Sequence, residues 1–358
     1  MFWMVMRAMI HMSSVRPIRL VVRGVDMTLS RPILGALITA AVVLIPTTSA
    51  RGAPTSRAAT TLNVQFRVFA RTGLRLTDVV WTGRQFLYVD NTTNRVAAAG
   101  PAGTPLTPFA TMPHQVEETR CRPSPGAHGF PAGYLYCHAP DNKIYRISAD
   151  GTRVTVVAIL PHSARSDGAL AFDTGGAFGY TLLAATGRSG SPTARGGSVF
   201  TISPSGIVRR IGSYPTPGGA DEIALAPAGF GVVGGQVLIP VDAGATGSLV
   251  AMDARGRVRT LLTLPDGPNP IVVLARGQAP AAGQARAGLY VADTLSRDVY
   301  LAPASELRAY VGAVVVGSEL QGLFWVLRPH GGGFAATKLA TTLTAKHYNF
   351  EGAIYVAG

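Results

Sequence analysis

The stretch that decides the fold is residues 167–215, which read DGALAFDTGGAFGYTLLAATGRSGSPTARGGSVFTISPSGIVRRIGSYP. It holds four short runs rich in aliphatic, β-branched and aromatic residues: Ala169–Asp173, Tyr180–Thr186, Ser198–Ser203 and Val208–Ser213. Gly, Pro, Asp or Ser bounds each run, which is typical of strands separated by turns. The stretch therefore predicts four consecutive strands.

The same unit recurs along the chain. A β-run that ends in proline occurs at Pro113, Pro161, Pro215 and Pro265, with spacings of 48, 54 and 50 residues. The runs between the last two prolines are Glu222–Ala226, Gln236–Asp242, Ser248–Asp253 and Val258–Leu264. Four strands repeated about every 40–50 residues indicate the blades of a β-propeller. We predict an all-β, six-bladed propeller of four-stranded antiparallel blades, with seven blades as the alternative.

The end of the repeat predicts how the ring closes. A fifth unit runs from Asn269 to about Gly317 and contains Gly288–Asp293 and Asp298–Ala302. A sixth holds Leu323–Leu327, Phe334–Ala340 and Ile354–Val356, and is one strand short. Asn63–Ala70 resembles the outermost strands elsewhere, so we expect it to complete the last blade. Ser305–Tyr310 fits a short helix equally well.

The first fifty residues have the pattern of a secretory signal peptide. Ser30-Arg31 precedes an apolar stretch, Pro32–Pro46, and small residues follow up to Ala50, after which cleavage is predicted. Met27 would start a signal of normal length. An uncleaved anchor is the alternative, although the apolar stretch is too short to span a bilayer. Residues 51–61 are predicted to be a flexible lead-in and residues 62–358 the propeller, exported to the periplasm, the cell surface or the medium.

Composition narrows the possible partners. The 358 residues carry a formal net charge of +13, with only 14% charged residues against about 25% in ordinary domains. The basic residues are scattered singly, whereas nucleic-acid grooves gather them in stripes or motifs, so we expect no nucleic-acid partner. No apolar run reaches the roughly 18 residues of a membrane span. We expect a monomer with a small-molecule or carbohydrate ligand.

Two cysteines support export. Cys121 and Cys137 are the only pair in the chain, and each lies in or at the end of a short β-like run. Neighbouring antiparallel strands bring such residues within disulfide reach, and an oxidising compartment keeps the bond. We predict a structural disulfide across a hairpin, with two free buried thiols as the alternative.

Polar residues recur where each innermost strand is predicted to begin. They are Asp78, Glu117 with Glu118, Asp167, Asp221 with Glu222, Asn269 and Glu319, at spacings of 39, 50, 54, 48 and 50 residues. Because innermost strands run side by side around a channel, their first residues should meet at one mouth. A ring of carboxylates and an amide suits a hard divalent cation such as Ca²⁺, for which we predict the ligands Asp78, Glu118, Asp167, Asp221 and Asn269. The alternative is that these side chains bond backbone N–H groups in the loops before the strands.

The blade pattern resembles the gluconolactonase/senescence-marker-protein family and the related NHL-type and TolB-like six-bladed propellers. The resemblance lies in Gly133–Ser148 (GYLYCHAPDNKIYRIS), Asp167–Asp173 (DGALAFD) and Gly288–Asp293 (GLYVAD). In that family a Glu, an Asn and an Asp hold an axial divalent cation that assists lactone hydrolysis. The similarity implies corresponding roles for Asp78, where the family has Glu, for Asp167, and for Asn269, which Pro270 follows where the family has Gly. It also implies a ring carboxylate, Asp221 or Glu222, as general base.

Two other functions fit the same fold. A non-catalytic extracellular propeller would present one mouth of the ring to a carbohydrate or protein. A quinone-dependent sugar dehydrogenase would need a loop histidine as base. We interpret His114, His128, His138 and His162 as solvated loop residues, since they form no close ligand pair.

Overall fold

The computed structural model describes residues 19–22, 25–28, 63–113, 117–161, 167–187, 196–215, 217–277, 285–343 and 348–357. In chain order the strands are β1 Arg19–Val22, β2 Val25–Thr28, β3 Arg67–Arg71, β4 Leu76–Trp81, β5 Phe86–Asp90, β6 Arg95–Ala99, β7 Thr107–Thr111, β8 Arg120–Pro123, β9 Leu135–His138, β10 Lys143–Ile147, β11 Val154–Ile159, β12 Ala169–Phe172, β13 Leu182–Ala185, β14 Gly197–Ile202, β15 Val208–Tyr214, β16 Ala224–Leu225, β17 Val237–Asp242, β18 Gly247–Met252, β19 Val258–Leu264, β20 Pro268–Val273, β21 Gly288–Asp293, β22 Asp298–Pro303, β23 Val314–Ser318, β24 Phe324–His330, β25 Gly333–Lys338 and β26 Phe350–Val356. A helical turn, α1 (Ala304–Leu307), continues into a 3₁₀ turn at Arg308–Tyr310, and a second 3₁₀ turn lies at Gly231–Val233.

Twenty-four of these strands form six four-stranded antiparallel sheets, which confirms the six-bladed propeller. From the innermost strand outward, blade 1 is β4-β5-β6-β7, blade 2 is β8-β9-β10-β11, blade 3 is β12-β13-β14-β15, blade 4 is β16-β17-β18-β19, blade 5 is β20-β23-β24-β25 and blade 6 is β26-β21-β22-β3. Each innermost strand contacts the next around the channel, and β26 contacts both β20 and β4, so the ring is closed.

The hydrophobic core is divided among the interfaces between blades. Among the described residues, the buried apolar side chains form six clusters, and each cluster joins two neighbouring blades. Between blades 6 and 1, for example, Tyr290 packs its ring against Phe86, with 4.8 Å between the ring centroids. Burial on both faces of every sheet explains why the strands read as nearly continuous apolar runs rather than as an alternating pattern.

Blade 6 is assembled from three separate parts of the chain. The N-terminal strand β3 is its outermost strand, pairing Val299 with Ala70 and Leu301 with Arg67, which confirms the predicted ring closure. Next to β3, Val64 donates its N–H to the oxygen of Ala340 at 2.8 Å.

The order of strands in the last two blades differs from the prediction. The runs Gly288–Asp293 and Asp298–Ala302, predicted for the fifth blade, form the two middle strands of blade 6. The runs at Leu323–Leu327 and Phe334–Ala340, predicted for the sixth blade, form the two outer strands of blade 5, next to β23. The prediction was wrong because it took chain order for spatial order, whereas the chain leaves blade 5 after β20 and returns to it at β23. Ile354–Val356 does belong to blade 6, within its innermost strand.

The chain divides into two compact units, residues 1–59 and residues 60–358. In the first unit, β1 and β2 form an antiparallel pair in which Leu20 faces Met27. The apolar stretch of the predicted signal peptide, its cleavage position after Ala50 and the lead-in at 51–61 lie outside the described residues. In the described part of the chain, none of the helices has the length and apolar character needed to cross a bilayer.

The predicted disulfide is confirmed. Cys121 on β8 and Cys137 on β9 face each other across the two inner strands of blade 2, with their Cα atoms 4.1 Å apart. Both residues are fully buried at the interface with blade 1. The bond ties the strand that carries Arg120 and Arg122 to its neighbour.

Candidate functional site

The inner strands bring charged and amide side chains together around the channel. Those that are at most 9% exposed are Asp78 in β4, Arg120 in β8, Asp167 just before β12, Asp221 and Glu222 just before β16, Asp242 at the end of β17, Asn269 in β20 and Glu351 in β26. The strands approach one another closely here, since a Cβ atom on Gly352 would lie 2.7 Å from the Cα of Asp78. Hydrogen bonds and ion pairs divide these side chains into two groups.

The first group consists of Asp78, Arg122 and Glu222, and is called the Arg122 group below. Arg122 reaches from blade 2 to two other blades: its Nη1 lies 3.1 Å from Asp78 Oδ2 and its Nη2 lies 2.5 Å from Glu222 Oε1. Burial raises the pKa of both carboxyl groups, and the positive charge of Arg122 opposes that rise.

Backbone N–H groups complete the bonding of both acids. Asp78 accepts from the N–H of Val79 at 2.9 Å and from that of Cys121 at 2.7 Å. Glu222 accepts from the N–H of Ile271 at 2.7 Å. Every carboxylate oxygen of the Arg122 group therefore has a donor, which is the structural role that the alternative interpretation expected.

The second group, called the mouth cluster, consists of Glu118, Arg120, Asp167, Asp221, Asp242, Asn269, Glu319 and Glu351. On one side, the Nη2 atom of Arg120 lies at 2.8 Å from Glu351 Oε2, and its Nη1 atom lies at 3.6 Å from Glu118 Oε2. Arg120 is fully buried. Burial by itself lowers the pKa of its guanidinium, but Glu351, Glu118 and Asp221 together raise that pKa, so Arg120 stays charged.

Asn269 links this side of the mouth cluster to Asp221. Its Nδ2 lies 3.3 Å from Glu351 Oε2 and 3.3 Å from Asp221 Oδ2, so the amide donates to both carboxylates. The Asn269 oxygen therefore points away from them. Asn269 Oδ1 and Asp221 Oδ1 are both buried and have no hydrogen-bond partner in the structure. Leaving such oxygens unpaired in a protein interior costs about 1–3 kcal/mol each.

Three carboxylates lie close together on the other side of the mouth cluster. One oxygen each from Asp221, Asp242 and Glu319 can be chosen so that all three lie within 4.8 Å of one another. Burial, with the nearby Asp221 and Asp242, raises the pKa of Glu319 to about 9. Burial and Asp167 raise the pKa of Asp221 well above its usual value. A cation held among these acids would oppose both rises in pKa.

The donors of the mouth cluster fit a hard divalent cation. Carboxylate and amide oxygens at this spacing are what Ca²⁺ prefers, and Ca²⁺ takes six to eight of them. Among the described residues, Arg120 forms its ion pairs with Glu351 and Glu118, while Asp221, Asp242 and Glu319 bring one oxygen each within 4.8 Å of the others. Residues able to hold the cation are therefore Asp221, Asp242, Glu319 and Asn269.

Solvent reaches the mouth cluster at Glu118 and Glu319. The side chain of Glu118 is 27% exposed, and Glu319 is also partly exposed. Each is steadied by an asparagine: Asn91 Nδ2 lies 3.3 Å from Glu118 Oε1, and Asn349 Nδ2 lies 3.3 Å from Glu319 Oε1. A ligand can thus approach from this end of the channel without displacing Arg120.

Sequence reasoning found part of this site. Of the five predicted ligands, four lie in the mouth cluster (Glu118, Asp167, Asp221 and Asn269), whereas Asp78 lies in the Arg122 group. The prediction that Glu319 begins an innermost strand was wrong. Glu319 follows β23, the second strand of blade 5, and reaches the mouth from a turn. The prediction missed Arg120, Arg122, Asp242 and Glu351. The alternation Arg120-Cys121-Arg122 was an available signal, because residues two apart on a strand share a face.

The interpretation of His138 as a solvated loop residue was wrong. His138 is the last residue of β9 and is fully buried. Its Nδ1 accepts the N–H of Ala169 at 3.1 Å, and burial lowers its pKa to about 4. The prediction assigned His138 to a loop because the β-like run that ends there is short. His128 does lie in a loop, between β8 and β9, whereas His114 and His162 lie outside the described residues.

Comparisons with known proteins add no family name. No model of a protein family matches the chain, and no curated protein matches it.

Proposed function

We propose that the mouth cluster binds a divalent cation, Ca²⁺, and that the protein is an exported propeller that hydrolyses a lactone or ester at this mouth. The observation that carries the proposal is a pair of buried oxygens without a hydrogen-bond partner among the described residues, Asp221 Oδ1 and Asn269 Oδ1, beside three acids whose oxygens lie within 4.8 Å of one another. A bound cation would satisfy both oxygens and relieve the repulsion among the acids. The buried disulfide agrees with an oxidising compartment.

The cation and the side chains of the site have separate roles in this hydrolysis. A divalent cation in this position supplies Lewis acidity, which polarises an ester carbonyl and makes a neighbouring water more acidic. Asp221 is the proton acceptor, because it lies in the mouth cluster and its Oδ1 has no hydrogen-bond donor among the described residues. Glu222, the other carboxylate suggested for this role, is held by Arg122 and by the N–H of Ile271. Arg120 holds Glu351 and Glu118 in place, and its charge opposes the rise in their pKa that burial causes.

The reaction balances without a further reactant. Water gives its hydroxyl to the acyl carbon, and its proton passes to Asp221. The bond between the acyl carbon and the leaving oxygen breaks, and that oxygen takes a proton as the alcohol leaves. The products are a carboxylic acid and an alcohol, which in a lactone remain one molecule.

Cation binding is tested by calorimetric titration of chelator-treated protein with CaCl₂. We expect one ion per chain and a loss of at least tenfold in affinity for Asp221→Asn and for Glu319→Gln. Asp253→Asn is the matched control, because Asp253 is an acid that pairs with exposed Arg257 away from the channel. Unchanged affinity in both mouth variants would refute the cation site.

Hydrolysis is tested separately with neutral esters and lactones. We expect activity that chelation abolishes and CaCl₂ restores, and that Asp221→Asn lowers by 10²-fold or more, in line with the usual contribution of a general base. Tight Ca²⁺ binding with no hydrolysis of any substrate would instead favour a non-catalytic propeller.

One observation favours that second candidate, a carbohydrate-binding propeller. His128 and Tyr180 stack at the opposite end of the channel, with ring centroids 3.8 Å apart and an interplanar angle of 12°. Tyr180 is 41% exposed, so part of this aromatic side chain is open to a sugar ring. If calcium-free protein is retained on a glycan column and Tyr180→Ala abolishes retention, this candidate gains over hydrolysis.

A further inference from the structure

Two exposed leucines stand at the mouth. Among the described residues, most large apolar side chains that are exposed lie on outer strands or at the opposite end of the channel: Val68, Val156, Ile159, Tyr180, Ile207 and Val232. The remaining two are Leu295, 54% exposed in the turn between β21 and β22, and Leu320, 63% exposed in the turn between β23 and β24. Turn tips usually carry Gly, Asn, Asp, Ser or Pro. Folding alone therefore gives no reason for leucine at either tip.

Both turns pack against the same short segment. Thr294 donates its N–H to the oxygen of Asn349 at 2.9 Å, and the N–H of Asn349 is held by Asp293 Oδ1 at 2.9 Å. From the other blade, the oxygen of Glu319 accepts the N–H of Phe350 at 2.9 Å. The two leucines thus flank the segment that carries Asn349, the partner of Glu319.

Leu320 directly follows Glu319 in the chain, so the apolar surface adjoins the acids that would hold the cation. Tyr348 extends this surface: it is partly buried, and its ring meets that of Tyr300 at 5.7 Å between centroids. A ligand with its polar group at Glu319 would lay the rest of its length across these side chains.

The charge of the mouth cluster restricts the polar group of that ligand. Among the described residues, Glu118, Asp221, Glu319 and Glu351 lie around one guanidinium, that of Arg120. These four acids still outnumber the positive charges by one when a divalent cation is bound and all four are ionised. An anionic ligand would meet like charge in a site of low dielectric. An uncharged one would not.

We infer that the substrate is an uncharged ester or lactone with an aliphatic chain, and that this chain lies on Leu320 and Leu295. The inference deepens the proposed function and rests on it. Leu320 and Leu295 are specificity-determining residues that touch the chain and take no part in the bond-breaking step.

The test measures kcat/KM for 4-nitrophenyl acetate, butyrate, hexanoate and octanoate, for γ-butyrolactone against γ-decalactone, and for the anionic mono-4-nitrophenyl succinate, all with CaCl₂. Full burial of one methylene is worth about fourfold in affinity. Because the surface is open, we expect a gain of roughly twofold per methylene, and at least a tenfold disadvantage for the succinate against the butyrate.

The variant Leu295→Ser/Leu320→Ser is compared with Ile207→Ser, which changes an exposed apolar side chain in a turn at the opposite end. We expect the leucine variant to lose most of its dependence on chain length and to retain acetate hydrolysis and Ca²⁺ affinity, while the Ile207 variant stays like the wild type. A steep dependence that survives in the leucine variant, or a wild type indifferent to chain length, overturns the inference and leaves the hydrolase intact. No hydrolysis of any substrate overturns both.

Discussion

Arg122 on blade 2 reaches Glu222 on blade 4 across the channel, with 2.5 Å between Nη2 and Oε1 and 100 positions between the two residues in the chain. The same guanidinium also holds Asp78 on blade 1. One side chain therefore ties three blades together at the axis, next to the mouth cluster.

Replacing Arg122 with Met should destabilise the protein by about 3–5 kcal/mol, because two buried carboxylates lose their counter-charge. Urea unfolding at pH 7 measures the loss. Adding Asp78→Asn and Glu222→Gln should restore part of it. Arg257→Gln serves as control and should cost less than about 1 kcal/mol, since Arg257 is 74% exposed in its pair with Asp253. Equal losses in the two arginine variants would contradict the role given to Arg122.

His138 should make the protein less stable in mild acid. Its pKa is lowered to about 4 in the folded state, whereas in the unfolded chain it is near 6.5. The unfolded state therefore binds the proton first as the pH falls, and stability is lost between pH 6.5 and 4, by about 3 kcal/mol in total, with no further loss below.

The variant His138→Asn isolates this effect, because its amide oxygen can still accept the N–H of Ala169 while the titrating ring is gone. Free energies of unfolding at pH 7, 5.5 and 4 are compared between wild type and variant. The acids of the channel titrate in both proteins and cancel in the difference. A difference that does not change with pH would show that His138 does not titrate as described.

Removing the disulfide should cost about 3 kcal/mol, the value for a loop of this length, since 16 positions separate Cys121 from Cys137. The double variant to Ala is compared with wild type by urea unfolding, with and without reductant. Reductant should lower the stability of the wild type to that of the variant and leave the variant unchanged. If reductant leaves the wild type unchanged, or lowers the variant as well, the loss of stability does not come from this bond.

Shortening the chain tests ring closure. A chain that begins at Asn63 keeps all of blade 6 and should unfold cooperatively like the full chain. A chain that begins at Gly73 lacks β3 and the buried side chains of Val64, Phe66 and Ala70. The loss of these side chains, about 2–5 kcal/mol for each large one, approaches the whole stability of a domain. Circular dichroism during heating should show no cooperative transition for the shorter chain, and a normal transition would refute closure by β3.

The sequence predicted the fold well where chain order and spatial order agree. Blades 1 to 4 each use four consecutive strands, so the period was visible at Pro113, Pro161, Pro215 and Pro265. The prediction of strand order failed after β20, because the β21–β22 hairpin has the same apolar pattern whichever blade it joins. The apolar pattern of a strand indicates that the strand is buried, but it does not indicate which strand it pairs with.

The candidate site was predictable only in outline. Acids just before the inner strands could be placed at one mouth from their spacing, and Asp221 and Asn269 do meet there. Arg120 and Arg122 were missed because an arginine in a strand is normally assigned to solvent. Here each is held in the channel by acids from other blades, a relation between distant residues that no local pattern carries. Glu351 was missed together with the innermost strand of blade 6.

The exchange of strands between blades 5 and 6 sets a time order on assembly. As the chain is made from its N-terminus, β3 and the β21–β22 hairpin are complete long before β26, the last strand, exists. Until that strand arrives, blade 6 has no inner edge and the cluster lacks Glu351. The ring can therefore close only once β26 has been synthesised, so contacts made by the earlier blades must persist in an open arc until then.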